Sequence, residues 1–412
     1  MTLPTNIQKL HTNKVYCPLA WYSLTWQKSW KIGICCMNNL SCSDLELWHI
    51  SQKSFSELWN GEKMKKIRLN MLQGMKSAYC EPCYRKESFW LESLRTKAIG
   101  YYGDQTKNFI ECTSDNGEYD GSIQKLDLRL SNLCNLACRM CTWDSSTSRI
   151  ELDKSLWIQT MTDAYTNEPY DTENFWSDIE KLSQVHTFKF AGGEPLMNPN
   201  FYKLLEKLII LWKANTLRIE ILTNLTVLPG INGYKNFLFG DYGNIFEILW
   251  EFQSCQFQIS IDGYEKSYEY IRIWSNWDNV KKNILSVHEI SKAQKKFSIG
   301  FMPTVQKDNI YDFPKLYLFA HSRDIWIDIK PLVRPEYLSI IHLSEWEKEK
   351  ITQYYNACIK KYKNKAPKIE KDLNYILQYM NSHASKDEYI KQYYEKSKIM
   401  DAFAEGKNKN LS

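Results

Sequence analysis

Cys134, Cys138 and Cys141 fall in one short run, Leu133-Cys134-Asn135-Leu136-Ala137-Cys138-Arg139-Met140-Cys141, at the spacing C-x3-C-x2-C. Three thiolates on one tight loop can ligate three irons of a cubane [4Fe-4S] cluster and leave the fourth iron open. An open iron binds a small molecule, so such a cluster is a place for chemistry as well as an electron carrier. The alternative for the same residues is a structural zinc loop. Structural zinc sites pair two C-x2-4-C arms and close all four positions. No second arm stands beside this run, and ligand arithmetic favours the cluster.

A second set of cysteines lies upstream. Cys17 opens Cys17-Pro18-Leu19-Ala20-Trp21, and the strand-like segment Trp30–Cys36 ends in the pair Cys35-Cys36. A helical stretch follows over Ser54–Met75, with Leu58, Trp59, Met64, Ile67 and Leu72 among its apolar residues, and Cys80-Glu81-Pro82-Cys83 closes the region. One early thiolate, one at a strand end and a C-x2-C pair make four ligands. Four thiolates saturate either a [4Fe-4S] cluster or a zinc ion, and spacing does not choose between them. Cys35 and Cys36 are not both needed, and Cys35 is the preferred member. Cys42, Cys112, Cys255 and Cys358 are left over. Of these, Cys112 is the thiol to test as a hydrogen donor; the alternative is a small hydrophobe in the core.

These residues need a scaffold. Six segments read as strands: Gln124–Leu130, Val185–Phe190, Leu217–Leu222, Gln256–Ile261, Phe297–Met302 and Ile325–Lys330. Several alternate apolar and polar residues, as in Phe257-Gln258-Ile259-Ser260-Ile261, the period of a half-buried strand. Helical patterns follow them. The clearest begins at Asn198 as N-cap with Pro199 in the first turn, and places Phe201, Leu204, Leu205, Leu208 and Ile209 on one face. Strand–helix repetition implies a parallel sheet. The expected fold is therefore α/β, a six-unit partial barrel over 122–334. A small α+β cysteine-rich domain over 1–121 precedes it, and a helical segment over 335–412 follows, where Ser344 reads as an N-cap with Glu345 and Glu347 in its first turn.

The polar residues cluster at strand ends, where barrels of this type place their sites. The cysteine run follows the first strand and Ala191-Gly192-Gly193-Glu194-Pro195 the second; Thr223-Asn224 follows the third, and Ser260 with Asp262-Gly263 the fourth. Two glycines allow unusual backbone angles and close ligand approach, and the Glu194 carboxylate is a partner for an ammonium group. Taken alone, Gly-Gly-Glu-Pro is a common turn, and Asp262-Gly263 another.

Together, the cysteine run, its lead-in Leu126-Asp127-Leu128-Arg129-Leu130-Ser131-Asn132 and the later Ala191-Gly192-Gly193-Glu194-Pro195 resemble the radical SAM superfamily. The resemblance implies a partial (β/α)6 barrel and a catalytic [4Fe-4S] cluster whose open iron chelates S-adenosylmethionine (SAM). It implies reductive cleavage of SAM to a 5'-deoxyadenosyl radical that abstracts hydrogen from a substrate. It gives Gly192, Gly193 and Glu194 the methionyl amino group. Asn224 and Ser260 would contact the ribose or the methionyl carboxylate, and Arg272 could pair with that carboxylate or be a surface arginine on a helix. The upstream cysteines look like a twitch or SPASM auxiliary-cluster module. In similar enzymes that module usually follows the barrel, whereas here it precedes it. The reducing partner implied is a flavodoxin or ferredoxin. The substrate class is a peptide, with a small molecule such as a sugar or nucleoside as the alternative. A non-catalytic iron–sulfur or zinc protein is the reading from a different class.

Composition sets outer bounds. The 412 residues are 43% hydrophobic and 25% charged, ordinary for a globular protein of two or three domains. The net charge of +5 is mild and its lysines are spread out, so a nucleic-acid partner is not expected. No basic head followed by an apolar stretch opens the chain, and no membrane span is found, so a cytoplasmic location is expected. Twelve cysteines in a reducing compartment point to metal rather than disulfides. The seven histidines form no H-x-x-H pattern and no phosphate-binding glycine loop occurs, which disfavours hydrolysis and phosphoryl transfer.

Overall fold

The computed structural model describes residues 10, 13–26, 31–37, 48–49, 53–88, 92–158, 173–211, 214–231 and 242–408. The expectations for Trp30 and Cys42 lie outside the described residues. The chain divides into two compact units. The first comprises Met1–Arg129, Thr166–Phe190 and Thr216–Arg218; the second comprises Leu130–Tyr165, Ala191–Asn215 and Ile219–Ser412.

In the first unit, strands β1 (Ser23–Trp26), β2 (Lys31–Gly33), β3 (Trp48–His49), β4 (Lys125–Arg129) and β5 (Thr187–Ala191) lie side by side in the order β5-β4-β1-β2-β3. β1 runs parallel to β4, pairing Leu24 with Leu126, and antiparallel to β2, pairing Thr25 with Gly33. Sequence reasoning did not find β1. Its residues Ser23-Leu24-Thr25-Trp26 do alternate polar and apolar, but the run is only four residues long and all four are buried. The helical stretch from Ser54 breaks at Asn60-Gly61 into helices Phe55–Trp59 and Glu62–Leu72, the first closed by a capping box between Ser54 and Glu57. Arg68 is fully buried in this unit. Its Nε donates to Ala20 O at 3.0 Å, its Nη1 to Asn60 Oδ1 at 2.8 Å, and the guanidinium lies 4.5 Å from the Trp59 ring centroid. Hydrogen bonds and an aromatic face replace the water that a buried charge gives up.

In the second unit, strands β6 (Arg218–Thr223), β7 (Ser254–Ile259), β8 (Phe297–Phe301) and β10 (Trp326–Ile327) follow one another in space, with β9 (Thr304–Val305) and β11 (Lys330–Pro331) as a separate pair. β7, β8 and β10 are parallel, with Phe257 opposite Ile299 and Gly300 opposite Trp326. The sixth expected strand is thus two short ones, and the cause is Pro303. It has no N–H to give, so the ladder stops at Phe301 and resumes at Thr304. Asp328 N donates to Phe301 O at 2.9 Å and Lys330 N to Pro303 O at 3.0 Å, which carries the partner across the gap. The edge strand β10 lays its Trp326 indole over Gly300, where a Cβ would sit 1.9 Å from the ring. The helix from Asn198 forms as Pro199–Ile210, with the Asn198 side chain accepting from Asn200 N. Ser344 caps helix Glu345–Tyr362 in a capping box with Glu347. Helices Ile369–Met380 and Asp387–Asn408 complete the unit. The expected mostly parallel α/β sheet with a helical C-terminal part is the fold found.

Candidate functional site

The cysteine run leaves β4 as an irregular loop, and its own downstream residues hold it. Ser146 Oγ donates to Leu136 O at 2.7 Å, Ser148 Oγ to Cys134 O at 2.8 Å, and the Thr147 hydroxyl exchanges bonds with Cys134 N and O at 3.3 and 3.2 Å. Arg149, fully buried, donates Nη1 to Cys138 O at 2.6 Å and Arg139 O at 3.0 Å, and its Nε pairs with the buried Asp153 at 2.7 Å. From the other side, Ala137 N and Arg139 N donate to Ile273 O and Ile271 O at 3.2 and 2.9 Å. A loop carries backbone groups that no ladder satisfies. Here hydroxyls and a guanidinium satisfy them, which fixes the loop's shape. Sequence reasoning passed over Ser146-Thr147-Ser148-Arg149. The available signal was three consecutive small hydroxyls just after the cysteines, residues that readily bond nearby backbone.

Gly192 and Gly193 both take positive φ, 79° and 48°. At Gly193 a Cβ would lie 2.3 Å from Leu133 O, so only glycine allows the two segments to touch. The contact is closed by Glu194 N donating to Leu133 O at 2.7 Å.

Glu194 is buried. Its Oε1 accepts from Leu196 N at 3.1 Å and the Thr223 hydroxyl at 2.6 Å, and its Oε2 accepts from Asn224 N at 2.6 Å. Burial pushes its carboxyl up to about 7 against those three donors. Glu194 therefore pins the end of β6. Asn224, so fixed, donates Nδ2 to Asn135 Oδ1 at 3.1 Å and to Cys134 Sγ at 3.7 Å, while its Oδ1 accepts from the Thr226 N–H and hydroxyl at 2.9 and 2.6 Å. Ser260 is half-buried beyond the end of β7, its N–H on Thr223 O at 2.8 Å. Arg272 is buried, not a surface arginine. Its Nη2 pairs with the fully buried Asp262 at 2.6 Å, and its Nη1 reaches Cys138 Sγ at 3.8 Å. Asp262 Oδ1 in turn accepts from Thr304 N at 2.7 Å. The structure thus brings Cys134, Cys138, Cys141, Gly193, Glu194, Asn224 and Arg272 into one connected network. Burial is the main reason the Cys134 thiol is pushed up to about 12, with Glu194 and Cys141 adding to it. Cys138 is raised further by burial and the two neighbouring thiols, with Arg272 opposing.

In the first unit, Cys17, Cys35, Cys80 and Cys83 are also neighbours. Burial first, then the thiols of Cys36, Cys83, Cys80 and Cys17, push the Cys35 thiol well above its ordinary value. Burial and Cys83 push Cys80 up to about 12. Burial also raises Cys83, while the Arg95 backbone and the Ser93 hydroxyl pull it back. Arg95 is buried and paired with Glu87, and its Nη1 donates to Tyr16 O at 2.9 Å. Cys112 caps helix Thr106–Glu111 and bonds Asn108 Oδ1 at 3.6 Å; Cys255 and Cys358 are buried in β7 and in helix Glu345–Tyr362. No disulfide joins any of the cysteines among the described residues. Among the described residues, no three His, Cys, Asp or Glu side chains are arranged to hold a metal ion.

Residues 128–320 match the family model of the Radical SAM superfamily. That stretch, just under half of the chain, is similar to a radical SAM domain. Such a domain belongs to enzymes, and its fold implies a [4Fe-4S] cluster and SAM. Among solved structures, the chain is similar to native anSMEcpe with bound AdoMet, at 18% identity over 56% of this chain and 61% of that one, with a TM-score of 0.34. It is also similar to Streptococcus suis SuiB bound to S-adenosylmethionine, at 14% identity over 74% of this chain and 60% of that one, TM-score 0.35. SuiB bound to its precursor peptide SuiA matches at 14% identity over 66% and 54%, TM-score 0.32. The chain thus spans about three fifths of the first of these proteins' own length. No curated protein sequence matches it. No helix among the described residues is long and apolar enough to cross a membrane.

Proposed function

We propose that this chain is a radical SAM enzyme whose catalytic [4Fe-4S] cluster is held by Cys134, Cys138 and Cys141. The observation that carries the reading is the pair of side-chain N–H donors on the loop's sulfurs: Asn224 Nδ2 on Cys134 and Arg272 Nη1 on Cys138. Thiolates that ligate iron gain from such donors, which orient them and tune the cluster. A thiol raised by burial has the opposite need until a metal removes its proton. The donor set is soft sulfur on a loop whose backbone is tied down by hydrogen bonds, which suits iron–sulfur chemistry.

When bound, the cluster supplies one electron to the sulfonium of SAM, releasing methionine and a 5'-deoxyadenosyl radical that takes a hydrogen atom from the substrate. The chain's own residues do the rest. Gly192 and Gly193 remove side chains beside the cysteine loop. Glu194 uses three of about four acceptor positions on its own chain and keeps one for the SAM ammonium group. Asn224 and Ser260 present polar groups for the ribose and carboxylate, and Arg272, spent on Asp262 and Cys138, contributes positive charge rather than a free fork. In the first unit, Cys17, Cys35, Cys80 and Cys83 are proposed to hold an auxiliary cluster. Cys35 rather than Cys36 is proposed as the second member of that set. The substrate proposed is a peptide, which the open side of a partial barrel could accommodate, and the electron donor a flavodoxin or ferredoxin.

The test is anaerobic reconstitution of wild type beside the Cys134→Ala/Cys138→Ala/Cys141→Ala variant, with dithionite and SAM. Wild type is expected to form 5'-deoxyadenosine and the variant none, with about four irons fewer per chain. Equal iron in both proteins, or no SAM cleavage by an iron-replete wild type, overturns the reading.

A further inference from the structure

Arg139 sits inside the cysteine run, between Cys138 and Cys141, and its side chain is 1% exposed. Its Nε donates to Tyr270 O at 2.9 Å, and the guanidinium lies 3.6 Å from the centroid of the Tyr270 ring. Neither neutral partner balances its charge. The balancing carboxylate comes from far along the chain: Arg139 Nη2 pairs with Asp401 of helix Asp387–Asn408. Asp401 is 45% exposed, so one end of the pair is solvated and the other is buried in the loop.

The same helix touches the loop's surroundings at two more levels. Met400 is fully buried in one apolar cluster with Ala137 of the loop, Ile273, Leu332 and Leu338, against which Met140 and Phe403 pack. The Trp274 and Phe403 ring centroids are 5.5 Å apart. About two turns earlier, the Tyr393 hydroxyl donates at 2.6 Å to Asp308, a buried carboxylate that also feels the Arg139 charge. Asp308 Oδ2 and Arg139 Nη1 have no hydrogen-bond partner of their own.

We propose that the C-terminal helix is a clamp on the cysteine loop, with Asp401 acting through Arg139 as a positioning residue for Cys138 and Cys141. The meaning of that position rests on the cluster reading above; the clamp itself does not. A buried guanidinium that loses its carboxylate is costly to keep dry. The loop relieves that cost by opening and letting Arg139 reach water, which exposes the flanking thiols. Asp401 lies 260 residues from the loop in sequence, so the fold and not chain neighbourhood brings the pair together.

The test uses the metal-free full chain, timed iodoacetamide labelling and mass spectrometry of each cysteine, in wild type, Asp401→Ala and Asp401→Glu. In Asp401→Ala, Cys138 and Cys141 are expected to label about tenfold faster, as local opening would give. Cys255 and Cys358, buried elsewhere in the same unit, keep their wild-type rates, and Asp401→Glu restores the loop. On the reconstituted proteins, the cluster's electron paramagnetic resonance signal broadens in Asp401→Ala alone. Unchanged labelling of Cys138 and Cys141 overturns the clamp, and so does equal acceleration at Cys255, which marks general loosening. Failure of the cluster reading shows separately, as iron retained by the triple cysteine variant.

Discussion

The two thiol groups of this molecule are assembled in opposite ways. Cys134, Cys138 and Cys141 are neighbours in sequence, and the loop that carries them is tied by bonds from Ser146, Thr147, Ser148 and Arg149, residues of its own downstream turn. Cys17, Cys35, Cys80 and Cys83 come from a 3-10 turn, a strand end and a helix, and only the folded first unit brings them near one another. The first group is local in sequence, although its loop is also tied from afar by Ile271, Ile273 and Asp401. The second depends on everything around it. A site of the first kind takes its ligands from one segment; a site of the second kind reports on the fold of its whole unit.

The largest test of that contrast is metal content. Cys35→Ser is expected to cost the chain about four irons while Cys36→Ser costs none, read by iron and sulfide assay; equal losses would break the proposed four-residue set. The next acts on the loop's own support. Arg149→Met removes both carbonyl bonds and leaves Asp153 buried without its partner, so the second unit should lose about 3–5 kcal/mol in denaturant unfolding. A loss below about 1 kcal/mol would mean the loop is held by its surroundings after all. The smallest concerns acid. Burial and the charges of Lys307, Lys386 and Lys348 depress His342 from 6.5 to about 4, against Glu336. The unfolded chain then binds the extra proton between those values, so stability falls as pH drops from 6.5 to about 4. His342→Gln should flatten that part of the curve in the second unit, followed by thermal melts at stepped pH, and leave the first unit's profile alone.

The same contrast explains what the sequence allowed one to read. The loop cysteines and Gly192-Gly193-Glu194 were legible because their chemistry lies in adjacent residues and in strand ends that periodicity finds. Six expected strands correspond to β4, β5, β6, β7, β8 and the pair β10 and β11. The last splits in two through a proline on the neighbouring strand, and Gln256–Ile261 is shifted to Ser254–Ile259. What stayed hidden was long-range. Ser23-Leu24-Thr25-Trp26 carries a strand-like alternation over only four residues, and nothing in it announces β4 as its parallel partner. Nothing near Arg272 announces Asp262 as its partner, or near Arg139 announces Asp401. Those pairings are decided by packing, and one sequence does not display packing. Glu194 is a middle case. Its place at a strand end was readable, whereas its hold on Thr223 and Asn224 was not.

The indole of Trp326 lying across Gly300 has a consequence beyond the sheet it closes. An edge strand offers a row of unmet backbone donors and acceptors to any passing chain, the usual route to strand-mediated aggregation. Here the outermost strand is two residues long and its bulky ring is turned onto the strand behind it. A second copy of the protein finds almost no ladder there to extend. Gly300 would then be kept small for the sake of solubility rather than chemistry. Any larger residue would lift the ring away and leave β8 open to a stranger.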